Sequence, residues 1–274
     1  MVLLYFLETT TKMIKKGVEI MLVDYHIHAL GHMDREHTLE NLREYLEYAR
    51  ERNIKEIGFA DHDRYLANLD FSLYKKVQDL YPDINVRVGL EVDYFPGKEQ
   101  ELQKIVNSYD FDYLIGSVHY VDQWMFDASN QQENFSNWDI DELYKKYLSL
   151  VTGAAQTGLF FITGHLDLLK IFGHRPRKSL RETFEPALKL LNKTGTVVEL
   201  NTNGWYKPVG ELYPEPKLIS LCFEYNIPIT LSSDAHQADQ VGRDVHKALE
   251  IARKCGYKKI AVFSKKKVNY IDIT

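Results

Sequence analysis

Histidines and carboxylates recur through this chain in short strings: His26-Ile27-His28, Asp61-His62-Asp63, Gly164-His165-Leu166-Asp167 and Ser233-Asp234-Ala235-His236. Between them stand Glu91 with Asp93, then His119, then Glu199 followed by Asn201-Thr202-Asn203. Imidazole and carboxylate without thiolate suit zinc, manganese or iron, and do not favour copper or an iron–sulfur cluster. A lone histidine is more often a hydrogen-bonded structural residue than a ligand. Coincidence is a poor account of a set that returns along the whole chain. In His26-x-His28 a period of two puts both rings on one face of a strand, so both can reach one ion. The same holds for Asp234 and His236 if strand geometry continues that far. The histidines with Glu91 and Asp234 outnumber the three or four ligands of a single catalytic zinc. Two to three divalent ions (Zn, Mn or Fe) are therefore implied, with Glu91 as the natural bridging carboxylate.

Such side chains must be delivered to one place by the elements around them. Short β-rich runs at residues 19–24, 56–60, 86–90, 113–118, 160–163, 196–200 and 228–231 alternate with segments of helical period at 38–52, 73–80, 99–109, 139–157, 180–194, 216–225 and 239–255. This is the pattern of parallel strands with crossover helices. In the first helix Leu39, Leu42, Tyr45, Leu46 and Ala49 form one stripe while Glu40, Arg43, Glu44 and Glu47 face outward. Thr38 and Asp139 stand where N-caps belong, and Gly158 and Gly195 where a chain leaves a helix. A further strand near 259–263 is expected to add an edge or complete closure. The number of units, and the lack of G-x-G-x-x-G and G-x-x-x-x-G-K-[ST] strings, favour a closed α/β barrel over an open doubly wound sheet. Every metal-competent string then falls at a strand's C-terminal end, where a barrel builds its active site.

Composition narrows the function classes. A net charge of −5 with 27% charged residues lacks the basic excess that sequence-independent nucleic-acid binding needs. The short runs Lys15-Lys16 and Lys265-Lys266-Lys267 read as solvated faces. No apolar run approaches the ~20 residues of a membrane span, and no signal peptide is legible at the N-terminus. A cytoplasmic location is expected. Two cysteines, Cys222 and Cys255, sit in helical segments and read as small core residues. One domain over residues 21–274 is expected, with residues 1–20 as an extension; the oligomeric state is not legible.

The strings His26-x-His28, Asp61-His62, Gly89-Leu90-Glu91, Gly116-Ser117-Val118-His119, Gly164-His165-Leu166-Asp167 and Ser233-Asp234-Ala235-His236 together resemble the PHP (polymerase and histidinol phosphatase) superfamily, most closely its histidinol-phosphate phosphatase branch. The resemblance spans residues 21 to about 245. It implies a distorted seven-stranded β/α barrel, a trinuclear metal centre and hydrolysis of phosphate monoesters. It implies His26, His28, Glu91 and Asp234 around one ion, Glu91, His119 and His165 around a second, and His32, His62 and His236 around a third. His37, five residues beyond His32, competes for the same role. The strand-seven loop of histidinol phosphatases often carries a basic residue after Asp-Ala-His, and here Gln237 stands there.

The expected chemistry follows from the slowness of monoester hydrolysis. Clustered divalent ions deprotonate water, neutralise phosphoryl oxygens and orient in-line attack, a bridging hydroxide being the nucleophile. Glu91, Asp234 and His236 are the expected catalytic set, with Asp234 or His236 sharing the leaving-group proton. Lys170, Arg177 and Arg243 are candidate phosphate clamps because they follow ligand-bearing strands, and Asn201 a candidate substrate contact. Asp61, Asp167 and Glu199 read as carboxylates that fix ligand tautomers. The aromatic loop from Tyr120 to Trp138 is either a lid or local packing. The expected partner is a small phosphorylated substrate, with no nucleic acid and no membrane. Another PHP phosphoesterase, acting on a nucleotide, phosphotyrosine or sugar phosphate, is the alternative, and a non-catalytic metal-binding PHP barrel a further one. An amidohydrolase-type barrel also opens with His-x-His, but it bridges its metals with a strand-four lysine where this chain has His119.

Overall fold

The computed structural model describes residues 20–274, so all but the last residue of the expected extension lies outside the described residues. The strands are β1 (Leu22–Ile27), β2 (Ile54–Phe59), β3 (Asn85–Val88), β4 (Glu91–Asp93), β5 (Ile115–Ser117), β6 (Tyr120–Val121), β7 (Trp124–Met125), β8 (Ile162–Thr163), β9 (Val197–Asn201), β10 (Ile229–Ser232), β11 (Lys259–Ser264) and β12 (Lys267–Asp272). The helices are α1 (Leu39–Glu51), α2 (Ser72–Leu80), α3 (Glu99–Ser108), α4 (Ile140–Gln156), α5 (Leu180–Thr194), α6 (Pro216–Glu224) and α7 (Val245–Cys255).

Strands β1, β2 and β3 pair parallel in that order, and a second parallel sheet runs β10-β9-β8-β5-β4. Parallel bridges join the two at Ile27 with Ala235 and at His62 with Glu91. Strand β9 is buried at every position, as a strand covered on both faces must be. The helices supply that cover. Helix α1 buries Leu42, Tyr45, Leu46 and Ala49, and Thr38 caps it by accepting from the Asn41 N–H at 3.2 Å. Asp139 caps α4 in the same way, and α5 opens on a Ser179/Glu182 capping box and closes on Gly195 at φ 73°. Among the described residues no helix is long and apolar enough to cross a membrane.

Three expectations are corrected. The strand near 259–263 forms no backbone ladder with the parallel sheets, which it meets through the Thr230 and Tyr25 hydroxyls: β11 pairs antiparallel with β12, and the lysine run supplies their turn, with Lys265 and Lys266 at φ 50° and 58°. The helix expected from residue 239 begins only at Val245, because Gly242 and Asp244 take left-handed backbone just before it. The expected strand 86–90 ends at Val88, and after Gly89 and Leu90 a separate, unexpected strand β4 begins. That break places Glu91 at the very start of a strand.

Candidate metal centre

Glu91 is buried at the middle of the strand ends, and its two oxygens face different histidines. Oε2 lies 2.7 Å from His62 Nδ1, 3.5 Å from His26 Nε2 and 3.7 Å from His28 Nε2. Oε1 lies 3.2 Å from His165 Nε2 and 3.6 Å from His119 Nε2. The period-two spacing in β1 has the expected consequence: the rings of His26 and His28 are 4.9 Å apart. Asp234, held at φ 51° just after β10, brings Oδ1 to 3.3 Å from His28 Nε2 and 3.9 Å from His26 Nε2.

Three sets of ligand atoms each lie within 4.8 Å of one another: His26, His28 and Glu91; Glu91, His119 and His165; and His28, His62 and His236. The first two correspond to expected groups, with Asp234 beside the first. In the third, His28 takes the place expected for His32, whose ring lies 4.2 Å from that of His236 and 6.0 Å from that of His62. His37 is elsewhere, its Nδ1 accepting from the Asp70 N–H at 2.9 Å.

These residues fit divalent cations on chemical grounds. Buried imidazole nitrogens normally find hydrogen-bond partners. Here His26 Nε2, both nitrogens of His28, His62 Nε2 and His236 Nε2 are buried without one. Charge is balanced inside the cluster. Burial would raise the Glu91 carboxyl, but His62, His26 and His119 outweigh it and hold it well below the ordinary carboxylate range. Burial likewise opposes a charged His119, yet Asp93 and Glu91 push it up to about 10. At His28 burial and the neighbouring His236 and His62 act together, well below the usual imidazole value.

A measurable consequence follows. A histidine raised to about 10 is protonated at neutral pH in the chelated protein and must lose that proton to bind a cation. Metal uptake near pH 7 is expected to release protons, and affinity to rise with pH up to that region. Calorimetric titration in buffers of different ionisation enthalpy measures the release; uptake without proton release contradicts this electrostatic picture.

The surrounding polar groups orient the cluster. Glu199 binds His26 Nδ1 at 2.9 Å and accepts from the His165 N–H at 2.6 Å, the Ser232 hydroxyl at 2.6 Å and Asn201 Nδ2 at 3.0 Å. Asn201 and Asn203 each donate to Asp234 Oδ2 at 3.2 Å, which turns Oδ1 toward the histidines. Asp93 fixes His119 through its Nδ1 at 2.5 Å. Asp93 was visible in the sequence without a role, and its position two residues after Glu91 on one strand face was the available signal.

Several expected roles need correction. Asp61 touches no histidine of the cluster: it accepts from the Leu30 N–H at 2.8 Å and so shapes the loop after β1. Asp167 binds Lys170 Nζ and the Glu215 N–H at 2.8 and 2.9 Å. Lys170 is thereby consumed, and its ammonium also donates to the Leu212 carbonyl at 2.8 Å. Arg177 is exposed and paired with Asp139 and Asp141 at the start of α4. Arg243 stacks on Tyr206 and donates to Asn203 Oδ1 at 3.2 Å. Asn201 is fully buried behind Asp234. Gln237 bonds Arg35 and Asp34 at 2.9 Å each.

The cavity over the cluster has a volume of about 230 Å³, and its lining cations are Arg64 and Lys207. Arg64 follows His62 by two residues, a signal the sequence did carry. Lys207 lies five residues beyond the Asn201-Thr202 turn, and nothing local marks it. Asp127 and Tyr213 also line the cavity. In the aromatic loop Trp124 packs on Phe135 at 4.8 Å and Phe126 on Tyr147 at 5.6 Å, while Met125, Asp127 and Ala128 form cavity wall. Local packing thus holds one face of the loop and the cavity the other.

Parallel strands under helical cover, with a histidine–carboxylate cluster that could hold metal at their C-terminal ends, define an α/β protein with a candidate metal site. Residues 24–203 match the PHP domain model. The chain belongs to the PHP domain family. It is 42% identical over 165 residues to a protein of Deinococcus radiodurans named probable histidinol-phosphatase, a match spanning 60% of this chain and 63% of that relative. It is 28% identical over 264 residues to the histidinol-phosphatase of Lactococcus lactis, spanning 90% and 96% of the two chains. In fold it is similar to the crystal structure of the Lactococcus lactis histidinol phosphate phosphatase complexed with zinc, L-histidinol and phosphate, with a TM-score of 0.75 at 22% identity over 90% of this chain and 98% of that one.

Proposed function

We propose that the protein is a metal-dependent phosphate-monoester hydrolase, specifically a histidinol-phosphate phosphatase that converts L-histidinol phosphate and water to L-histidinol and phosphate. The observation that carries this reading is Glu91, one oxygen facing His26, His28 and His62 and the other His119 and His165. Relatives bearing the histidinol-phosphatase name support the substrate. His26, His28, Glu91 and Asp234 would hold one ion, Glu91, His119 and His165 a second, and His62 and His236, with His28 or His32, a third. Two to three zinc, manganese or iron ions, when bound, supply a water nucleophile active at neutral pH and neutralise phosphoryl charge.

The chain's own groups do the rest. Arg64 and Lys207 balance the charge of the entering phosphate. Arg64 is partly engaged, 3.4 Å from Asp93, whereas Lys207 carries no ion pair among the described residues. Protonation of the leaving alcohol falls to His236 or Asp234, both on the cavity wall. Asp127 Oδ1 is buried without a hydrogen-bond partner and meets the cationic amine of histidinol. The two bridged sheets are read as a distorted seven-stranded barrel, one domain over residues 21–274, with residues 1–20 an extension. Free cysteines Cys222 and Cys255 agree with a reducing, cytoplasmic setting.

Steady-state phosphate release from L-histidinol phosphate and a panel of other monoesters tests this. Preference for L-histidinol phosphate is expected. Lys207→Ala is expected to raise KM about tenfold or more for every monoester, and Asp127→Asn to raise it selectively for the amine-bearing substrate. A nucleotide, phosphotyrosine or sugar phosphate turned over faster than L-histidinol phosphate overturns the substrate assignment.

A further inference from the structure

Tyr213 is fixed from several sides at a point where its own hydroxyl has nothing to bind. The Asn201 N–H donates to its carbonyl at 2.6 Å, and its N–H donates to the Asn201 carbonyl at 3.1 Å. Those bonds tie it to the residue that orients Asp234. A Cβ at Gly204 would come within 2.0 Å of the Glu211 carbonyl and 2.9 Å of the Tyr213 ring, so glycine there lets the loop close around the phenol.

Lys170 Nζ lies 5.3 Å from the Tyr213 ring centroid. That ammonium is buried and held at 2.8 Å by Asp167 and 3.4 Å by Glu211, while Arg175 clamps Glu211 at 2.7 Å and pairs with Glu215. Buried ion networks add little net stability but do fix geometry. What this one fixes is a phenol that is 1% exposed, lines the cavity beside Lys207, Asp234 and His236, and has no hydrogen-bond partner for its hydroxyl. A buried hydroxyl left unpaired costs free energy, which marks it as a donor reserved for a ligand. Burial, reinforced by Asp167 and Asp234, keeps the phenol protonated and therefore a donor.

We infer that Tyr213 contacts the substrate, its hydroxyl donating a hydrogen bond to a non-bridging phosphoryl oxygen, and that Lys170 is the positioning residue that holds the phenol there. The inference rests on the phosphomonoesterase reading above. Tyr213→Phe tests it, because the hydroxyl it removes has no partner in the fold. The expected Y213F protein melts at the wild-type temperature or slightly above, with or without metal. Its kcat/KM is expected to fall about 10- to 100-fold, the loss of one hydrogen bond to a charged group. Its affinity for inorganic phosphate, measured calorimetrically on the metal-loaded protein, is expected to fall by a similar factor.

Lys170→Met is expected to lower kcat/KM in the wild-type background but to add little to Y213F, since both act through one phenol. If K170M does not fold, Glu211→Gln loosens the same network and serves in the cycle. Equal phosphate affinity in Y213F and wild type overturns the inference, as does a lowered melting temperature with phosphate binding unchanged. Weaker phosphate binding by Y213F, in a protein that hydrolyses no monoester, sustains this contact while overturning the phosphatase reading. A wild-type protein that binds no phosphate overturns both.

Discussion

Glu91→Gln is expected to remove most bound metal and to lower phosphate release by at least about 10³-fold, since the metal-borne part of such catalysis is worth several kcal/mol. Glutamine keeps the shape but loses the charge, and it replaces one acceptor oxygen with an NH₂ that can only donate. Whichever way the amide turns, a donor faces either the His119–His165 pair or the His26, His28 and His62 set, all now within 3.7 Å of a Glu91 oxygen. The chelated protein changes as well. With the carboxylate gone, one of the charges that raise His26 and His119 is lost and their proton affinities are expected to fall, while Glu199 and Asp93 continue to hold them up against burial. Elemental analysis of purified E91Q beside wild type, with phosphate release from the same samples, checks this. Wild-type metal content in E91Q would remove Glu91 from its bridging role.

Glu199→Ala is expected to destabilise the chelated protein by about 3–5 kcal/mol, the usual cost of breaking a buried charged network by deleting one partner. Glu199 is fully buried and satisfies His26, the His165 N–H, Ser232 and Asn201, four buried groups that would lose their partner. Burial would raise its carboxyl, but His26, His165 and Ser232 outweigh that and depress it. A carboxylate with a depressed native pKa stabilises fully above its unfolded value of about 4.3 and loses that contribution as pH falls through the native one. The gap in stability between wild type and E199A, from urea unfolding, should therefore be widest near neutrality and narrow in acid. A gap under about 1 kcal/mol at pH 7 would mean the network is replaceable by repacking.

The residues of the cluster were legible because two local rules carried them: alternation along a strand places His26 and His28 together, and parallel strands gather their C-terminal ends. Their chemistry needed no knowledge of loops. The cations that meet the cavity were a different matter. Lys170 follows a ligand strand, yet the 3₁₀ turn Leu168–Lys170 folds its ammonium back onto Asp167. Arg177 is captured by the acidic start of α4, a contact between segments 36 and 38 residues apart that periodicity does not encode. Lys207 and Tyr213 reach the cavity because Asn201 and Tyr213 pair across a loop that Gly204 allows to close. The β11–β12 hairpin was missed for a local reason, a lysine turn at positive φ that reads as a charge run.

Phosphate release from L-histidinol phosphate, measured on one preparation as purified, after exhaustive chelation and after return of zinc, manganese or iron, tests the central claim most directly. Activity is expected in the first sample, loss of at least about 10³-fold in the second, and recovery in the third. Undiminished activity in the chelated and verified metal-free protein would contradict the account.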